Sequence, residues 1–172
     1  MASDDVCPIC GFKWDSITSA DVAPRLDVSS DNFAQVLEGA GELVDVRPSP
    51  DRWSILEYGS HLRDVFLSIR ERMILAAVLD EPTGNAIYRE ERVNLGLYAL
   101  DTASVVASEL RMSARLLART FAALPDGYQE RTLIYSPVTP KHVTILWLTA
   151  QAIHECEHHL DDTRENLKLL LS

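Results

Sequence analysis

Apolar residues recur at helical spacing along four stretches of the chain, each bounded by Pro, Gly or polar punctuation. The first runs from about Ser30 to Leu43, with Phe33, Val36, Leu37 and Ala40 on one side, and ends before RPSPDRW. The second opens on a capping box, Ser54 with Glu57, and carries Ile55, Gly59, Leu62, Phe66, Ile69, Met73 and Ala76 at spacings of three and four. The third begins at Asp101, carries Val106, Leu110, Leu117, Phe121 and Leu124, and stops at LPDG. The fourth, capped by Thr144, runs nearly to the end. Between the last two, YQERTLIYSPVTP has room for a short extended piece. Strand signal is otherwise nearly lacking, so the pattern predicts an all-α four-helix bundle of up-and-down type, with room for a long crossover. The bundle is expected over residues 30–172, after an N-terminal extension over 1–29.

The fourth helix has apolar residues on two arcs. Trp147, Ala150 and Gln151 lie beside His154 and His158, while Ile145, Leu148, Ala152, Cys156, Thr163 and Leu167 lie roughly opposite. Such a helix is covered twice, once by the core and once by the N-terminal segment or a second subunit; a homodimer is the expected partner.

Within 172 residues, 47% hydrophobic and 24% charged side chains are ordinary for one soluble domain. A formal charge of −10 argues against a phosphate backbone as partner, so no nucleic acid is expected. The start, MASDDVCPIC, lacks a basic region followed by an apolar one, and no apolar run reaches membrane-spanning length. A cytoplasmic protein with no membrane contact is the expectation.

Chemistry concentrates at the C-terminal end. His154, Glu155 and His158 spell H-E-x-x-H, two imidazoles about 6 Å apart along one helical face, where both reach a single metal. A catalytic zinc wants three protein ligands and an open position. In the extended protease motif a Gly and a third His follow, but Asp161 and Arg164 stand there. Glu165 lies two turns further along the same helix, so the third ligand comes from upstream. Of the other histidines, His159 points about 100° away from His158, and His142 precedes the helix. His61, in the second helix beside the apolar stripe, projects into the bundle.

The segment WSILEYGSHLRD, residues 53–64, followed by HECEHHLDD, residues 154–162, resembles the two signature segments of the DinB-like superfamily, also named for its YfiT-like members. The resemblance covers most of the chain from about residue 30. It implies a four-helix bundle holding a divalent metal through three histidines, one from the second helix and two from the fourth. By motif position these are His61, His154 and His158. The implied chemistry is metal-dependent and uses thiols: a transferase or isomerase acting on a small molecule with a low-molecular-weight thiol such as bacillithiol or mycothiol. A non-catalytic metal-binding bundle is the alternative, since many members have no assigned activity. Related sulfoxide synthases read H-x-x-x-H-x-E, whereas Leu160 stands at the Glu position here.

Imidazoles around Zn²⁺, or around Ni²⁺ or Fe²⁺, leave open coordination that can turn a thiol into a thiolate at neutral pH. Glu155 is the candidate general base, and Glu57, Asp64, Asp161 and Asp162 are candidates to orient the ligand imidazoles. Near the N-terminus, Cys7, Pro8, Ile9, Cys10 and Gly11 form half of a zinc knuckle. Cys156 and His159, three residues apart, have the spacing to complete a second, structural Zn²⁺ site with Cys7 and Cys10. A thioredoxin-like redox role lacks its βαβ context.

Overall fold

The computed structural model describes residues 5–138 and 140–172. Among the described residues, five α-helices order the chain: α1 (Ser19–Gly39), α2 (Ile55–Val78), the short α3 (Arg89–Asn94), α4 (Ala103–Ala122) and α5 (Ile145–Leu171). Two short strands, β1 (Thr132–Ile134) and β2 (His142–Thr144), pair antiparallel ahead of α5, with Leu133 opposite Val143. This hairpin occupies the expected extended piece.

The four long helices build the bundle. The main contacts run between α1 and α4, α2 and α4, α1 and α5, and α2 and α5, so α1 sits diagonally from α2 and α4 diagonally from α5. Residues 40–54 and 123–144 span the two diagonals, and the long 79–102 segment joins the neighbouring α2 and α4. Among the described residues, no helix is long and apolar enough to cross a membrane.

The periodic stripes become the core. Every residue of the α2 stripe is buried, as are Phe33, Leu37, Val106, Leu110 and Leu117. The predicted box starts α2: Glu57 N–H donates to Ser54 Oγ at 3.2 Å, and Ser54 N–H to the Glu57 carboxylate at 2.8 Å. Thr144 caps α5 by accepting from Trp147 N–H at 3.1 Å. At the other end of α2, Arg131 donates to the carbonyls of Ala76 and Leu79, which have no helical partner.

The first helix starts earlier than its apolar pattern indicates, at Ser19 rather than near Ser30. The Asp21 carboxylate accepts from Thr18 N–H at 2.9 Å and closes the N-terminus. Pro24, inside α1, loses one hydrogen bond near the helix start, a cost that the buried Val22 and Leu26 offset. The helix thus takes in residues 19–29, which its apolar pattern alone did not mark as helical.

Both arcs of α5 are covered from within the chain. Ile145, Leu148, Ala152, Cys156 and Thr163 face the bundle and are buried. On the other arc, Trp14 stacks on Trp147 at 6.1 Å and donates from Nε1 to Gln151 at 2.7 Å. Trp147 donates in turn to the Asp5 carboxylate at 2.8 Å. The N-terminal segment is thus the second cover, and the argument for a homodimer from this helix loses its ground.

Candidate metal centre

At 100° per residue, positions 154 and 158 share one stripe of α5, and positions 155, 159 and 162 share the next. The structure aims the second stripe at α2. Glu155 lies with its carboxylate 3.5 Å from His61 Nε2 and 3.3 Å from His159 Nε2. Ligand atoms of His61, Glu155 and His159 all fall within 4.8 Å of one another, a span one divalent ion can gather with bonds of about 2 Å after small side-chain adjustments.

The set expected from the resemblance is therefore divided. His61 meets Glu155 and His159, while His154 and His158 turn toward the N-terminal segment and converge with Cys7 and Cys10. The HHL doublet allows two registers one residue apart, and only the packing of α5 against α2 chooses between them. Glu155, expected as a general base, sits between two imidazoles as a third donor. Cys156 does not join the knuckle. It is buried toward α1 beside Ser29, and burial pushes its thiol up to about 12, which makes it inert. His158, His159 and Asp162 form a third, overlapping group.

The surroundings fit a metal at His61, Glu155 and His159. His61 is 2% exposed, and neither ring nitrogen has a hydrogen-bond partner among the described residues. An orphaned buried imidazole is costly unless something occupies it. His159 meets Asp162 Oδ2 through Nδ1 at 2.8 Å, which leaves Nε2 directed to Glu155 and available for an ion. Tyr58 packs on His159 at 4.9 Å, and Trp53 lies edge-on to His61 at 5.3 Å. Buried Asn166 fixes that wall by donating to the Trp53 carbonyl at 2.8 Å and accepting from Arg52.

Electrostatics in the metal-free site are strongly coupled. Burial pushes the His61 imidazole below its ordinary value against the pull of Glu155. Burial also works to raise the Glu155 carboxyl, but His159 and His61 outweigh it and hold it well below the usual carboxylate range. For His159 burial opposes the charge, yet Asp162 and Glu155 lift it to about 9. Of the other carboxylates proposed to orient ligands, only Asp162 does so. Glu57 binds Arg47, Asp64 binds Arg63 and Arg92, and Asp161 binds Arg164 at the surface.

A cavity of about 410 Å³ opens onto His61 and Glu155, walled by Val65, Ile87, Tyr135 and Arg72. Arg72 is 4% exposed; its Nη2 donates to the Asn85 carbonyl, and its Nε and Nη1 have no partner among the described residues. Its guanidinium lies 4.7 Å over the Tyr135 ring. The hairpin brings Tyr135 there, with Tyr135 N–H donating to the Lys141 carbonyl at 2.8 Å. Neither residue stood out in the sequence, although a cation about three helical turns beyond His61, on the buried face of α2, was a readable signal.

Fold and site together define a helical-bundle protein with a candidate divalent-metal centre facing a cavity. A family model described as the DinB superfamily matches residues 25–162, and the chain belongs to that family. Among solved structures it is similar to YfiT from Bacillus subtilis, described as a probable metal-dependent hydrolase with an unusual four-helix bundle topology. That match has a TM-score of 0.81, 16% identity and 91% coverage of each chain, a likeness of fold. Among curated proteins, no sequence relative matches this chain.

Proposed function

We propose that this protein is a metal-dependent enzyme acting at His61, Glu155 and His159 on a small anionic substrate, with a low-molecular-weight thiol as the nucleophile. The convergence of those three donors at the cavity carries the reading. Two imidazoles and one carboxylate with an open side suit Zn²⁺, the ion proposed, and also Fe²⁺. A divalent ion held there supplies Lewis acidity that makes a nucleophile from a thiol, or from water, at neutral pH.

The chain's own residues set the rest. Asp162 holds the His159 ring with Nε2 inward. Arg72 offers two unpartnered nitrogens to a carboxylate or a similar anion, and a buried guanidinium left without that anion is costly. Val65 and Ile87 exclude water from the uncharged part of the substrate. In a transfer reaction the thiol proton leaves to solvent, the S–C bond forms, and the leaving group departs with its bonding pair.

The test is turnover. Zinc-loaded protein is incubated with bacillithiol or mycothiol and a panel of small carboxylated electrophiles, and loss of free thiol is followed. Thiol-dependent turnover abolished by His61→Ala supports the reading. Product formed at the same rate without thiol selects hydrolysis, the activity suggested for the similar YfiT. No turnover under either condition selects a non-catalytic metal-binding bundle.

A further inference from the structure

We propose that Cys7, Cys10, His154 and His158 bind a structural Zn²⁺ that fastens the N-terminal segment to the α5 stripe beside the His61 centre. Their ligand atoms, two thiol sulfurs and two imidazole nitrogens, lie within 4.8 Å of one another. Two thiolates and two imidazoles close a tetrahedron and leave no open position, the hallmark of a structural zinc site.

Three further observations point to an ion. The loop folds as a metal-binding turn: Gly11, at φ +74°, donates to the Cys7 carbonyl at 2.9 Å, and Cys7 N–H donates to the Phe12 carbonyl at 2.8 Å. Amides of Ile9 and Cys10 face the Cys7 sulfur, and that of Phe12 faces the Cys10 sulfur, so the turn is built to hold thiolates. Both ring nitrogens of His154 and Nδ1 of His158 are buried with no hydrogen-bond partner among the described residues. A buried imidazole normally finds a hydrogen bond, and here the groups it meets are sulfurs.

The surroundings hold the ligands from behind. His154 is enclosed by Phe12 at 5.2 Å and Trp14 at 4.5 Å. Arg25 of α1 lies over the Phe12 ring at 5.3 Å and binds Glu157, one residue before His158, through two hydrogen bonds of 3.0 and 2.6 Å. Residues 154 and 155, and again 158 and 159, are chain neighbours assigned to different ions. A zinc on the outer stripe therefore fixes the azimuth of α5 and with it the aim of Glu155 and His159.

The test loads the full chain with Zn²⁺, and separately with Co²⁺, and compares wild type with Cys10→Ser, His154→Gln, Cys156→Ser and His61→Ala. Wild type is expected to hold two ions per chain, and its cobalt form to show a thiolate-to-metal charge-transfer band. Cys10→Ser and His154→Gln should each hold one ion and lose that band. Cys156→Ser should keep both ions, and His61→Ala should keep the band while losing the other ion. Because Cys10 is exposed, its replacement leaves the fold intact, which far-UV circular dichroism checks. Chelation in wild type should also change tryptophan emission as Trp14 loosens from Trp147. One ion in wild type that Cys10→Ser leaves in place, loss of the band in Cys156→Ser, or a Cys7–Cys10 disulfide with no zinc after reducing purification would overturn the assignment.

Discussion

Replacing Glu155 by Gln changes charge and almost nothing else. The amide keeps the shape of the carboxylate and its place beside Gln151, whose Nε2 donates to it at 2.6 Å. Opposite unit charges at the 3.3 Å separation from His159 attract by about 5 kcal/mol at an effective dielectric of about 20, before desolvation. Desolvation of the buried carboxylate offsets several kcal/mol of that, so the metal-free variant should be less stable by about 1–3 kcal/mol at pH 7. The depressed Glu155 carboxyl contributes stability above its unfolded value and loses it as pH falls, so the penalty should shrink in acid. Toward a dication the loss is larger: an anionic ligand becomes a neutral one, and affinity at this centre should fall by about a hundredfold or more, equivalent to about 3 kcal/mol. Competition with a fluorescent zinc chelator reads this directly in a Cys10→Ser background, where only the His61 centre remains. If the Gln variant binds within threefold of its parent, Glu155 is not a ligand and the proposed centre is wrong.

Arg72→Met keeps most of the buried volume and removes the unpartnered donors, so it should raise KM for a carboxylated substrate at least tenfold while leaving zinc content unchanged; an unaltered KM would remove the anion from the proposal. His159 in the metal-free protein holds its proton up to about 9, against an ordinary 6.5, so its stabilising contribution is full below pH 6.5 and lost as pH rises through about 9. Metal must displace that proton, so zinc affinity at the His61 centre should rise by up to about tenfold per pH unit below 9, with proton release countable by calorimetry in two buffers; a flat profile would refute it. Gly84→Ala would place a Cβ 2.8 Å from the Tyr135 carbonyl oxygen and 3.0 Å from Arg72 Cδ, costing about 1–3 kcal/mol and shifting Arg72, so thermal stability and KM should worsen together. Removing residues 1–17 would bare Trp147, and light scattering should then show self-association beyond that of the full chain; a full chain of dimeric mass would restore the homodimer.

Much of the bundle was legible because helical periodicity reports burial directly. The α2 stripe from Ile55 to Ala76, the Ser54–Glu57 box and the Thr144 cap are local patterns, and each stands where its pattern places it. The start of α1 was not legible, because the apolar period before Ser30 is sparse and Pro24 interrupts it, while tertiary contacts of Val22 and Leu26 decide the matter.

At the metal centres, the residue types were in the sequence: three histidines in nine residues of α5, one histidine on α2, and a C-x-x-C turn near the N-terminus. What the sequence by itself could not determine is which nitrogen belongs to which ion. His154 and His158 differ from Glu155 and His159 by one residue, about 100° of azimuth, and nothing along a single helix sets the absolute angle. Contacts of α5 with α2 on one side and with Phe12 and Trp14 on the other set that angle, and they join residues more than ninety positions apart. Arg72 entered the site the same way, through a cavity lined by the 86–91 segment and the hairpin rather than through any spacing of its own. Local sequence chose the helices and their buried faces because both depend on near neighbours; the rotation of each helix against the others is a property of the packed whole.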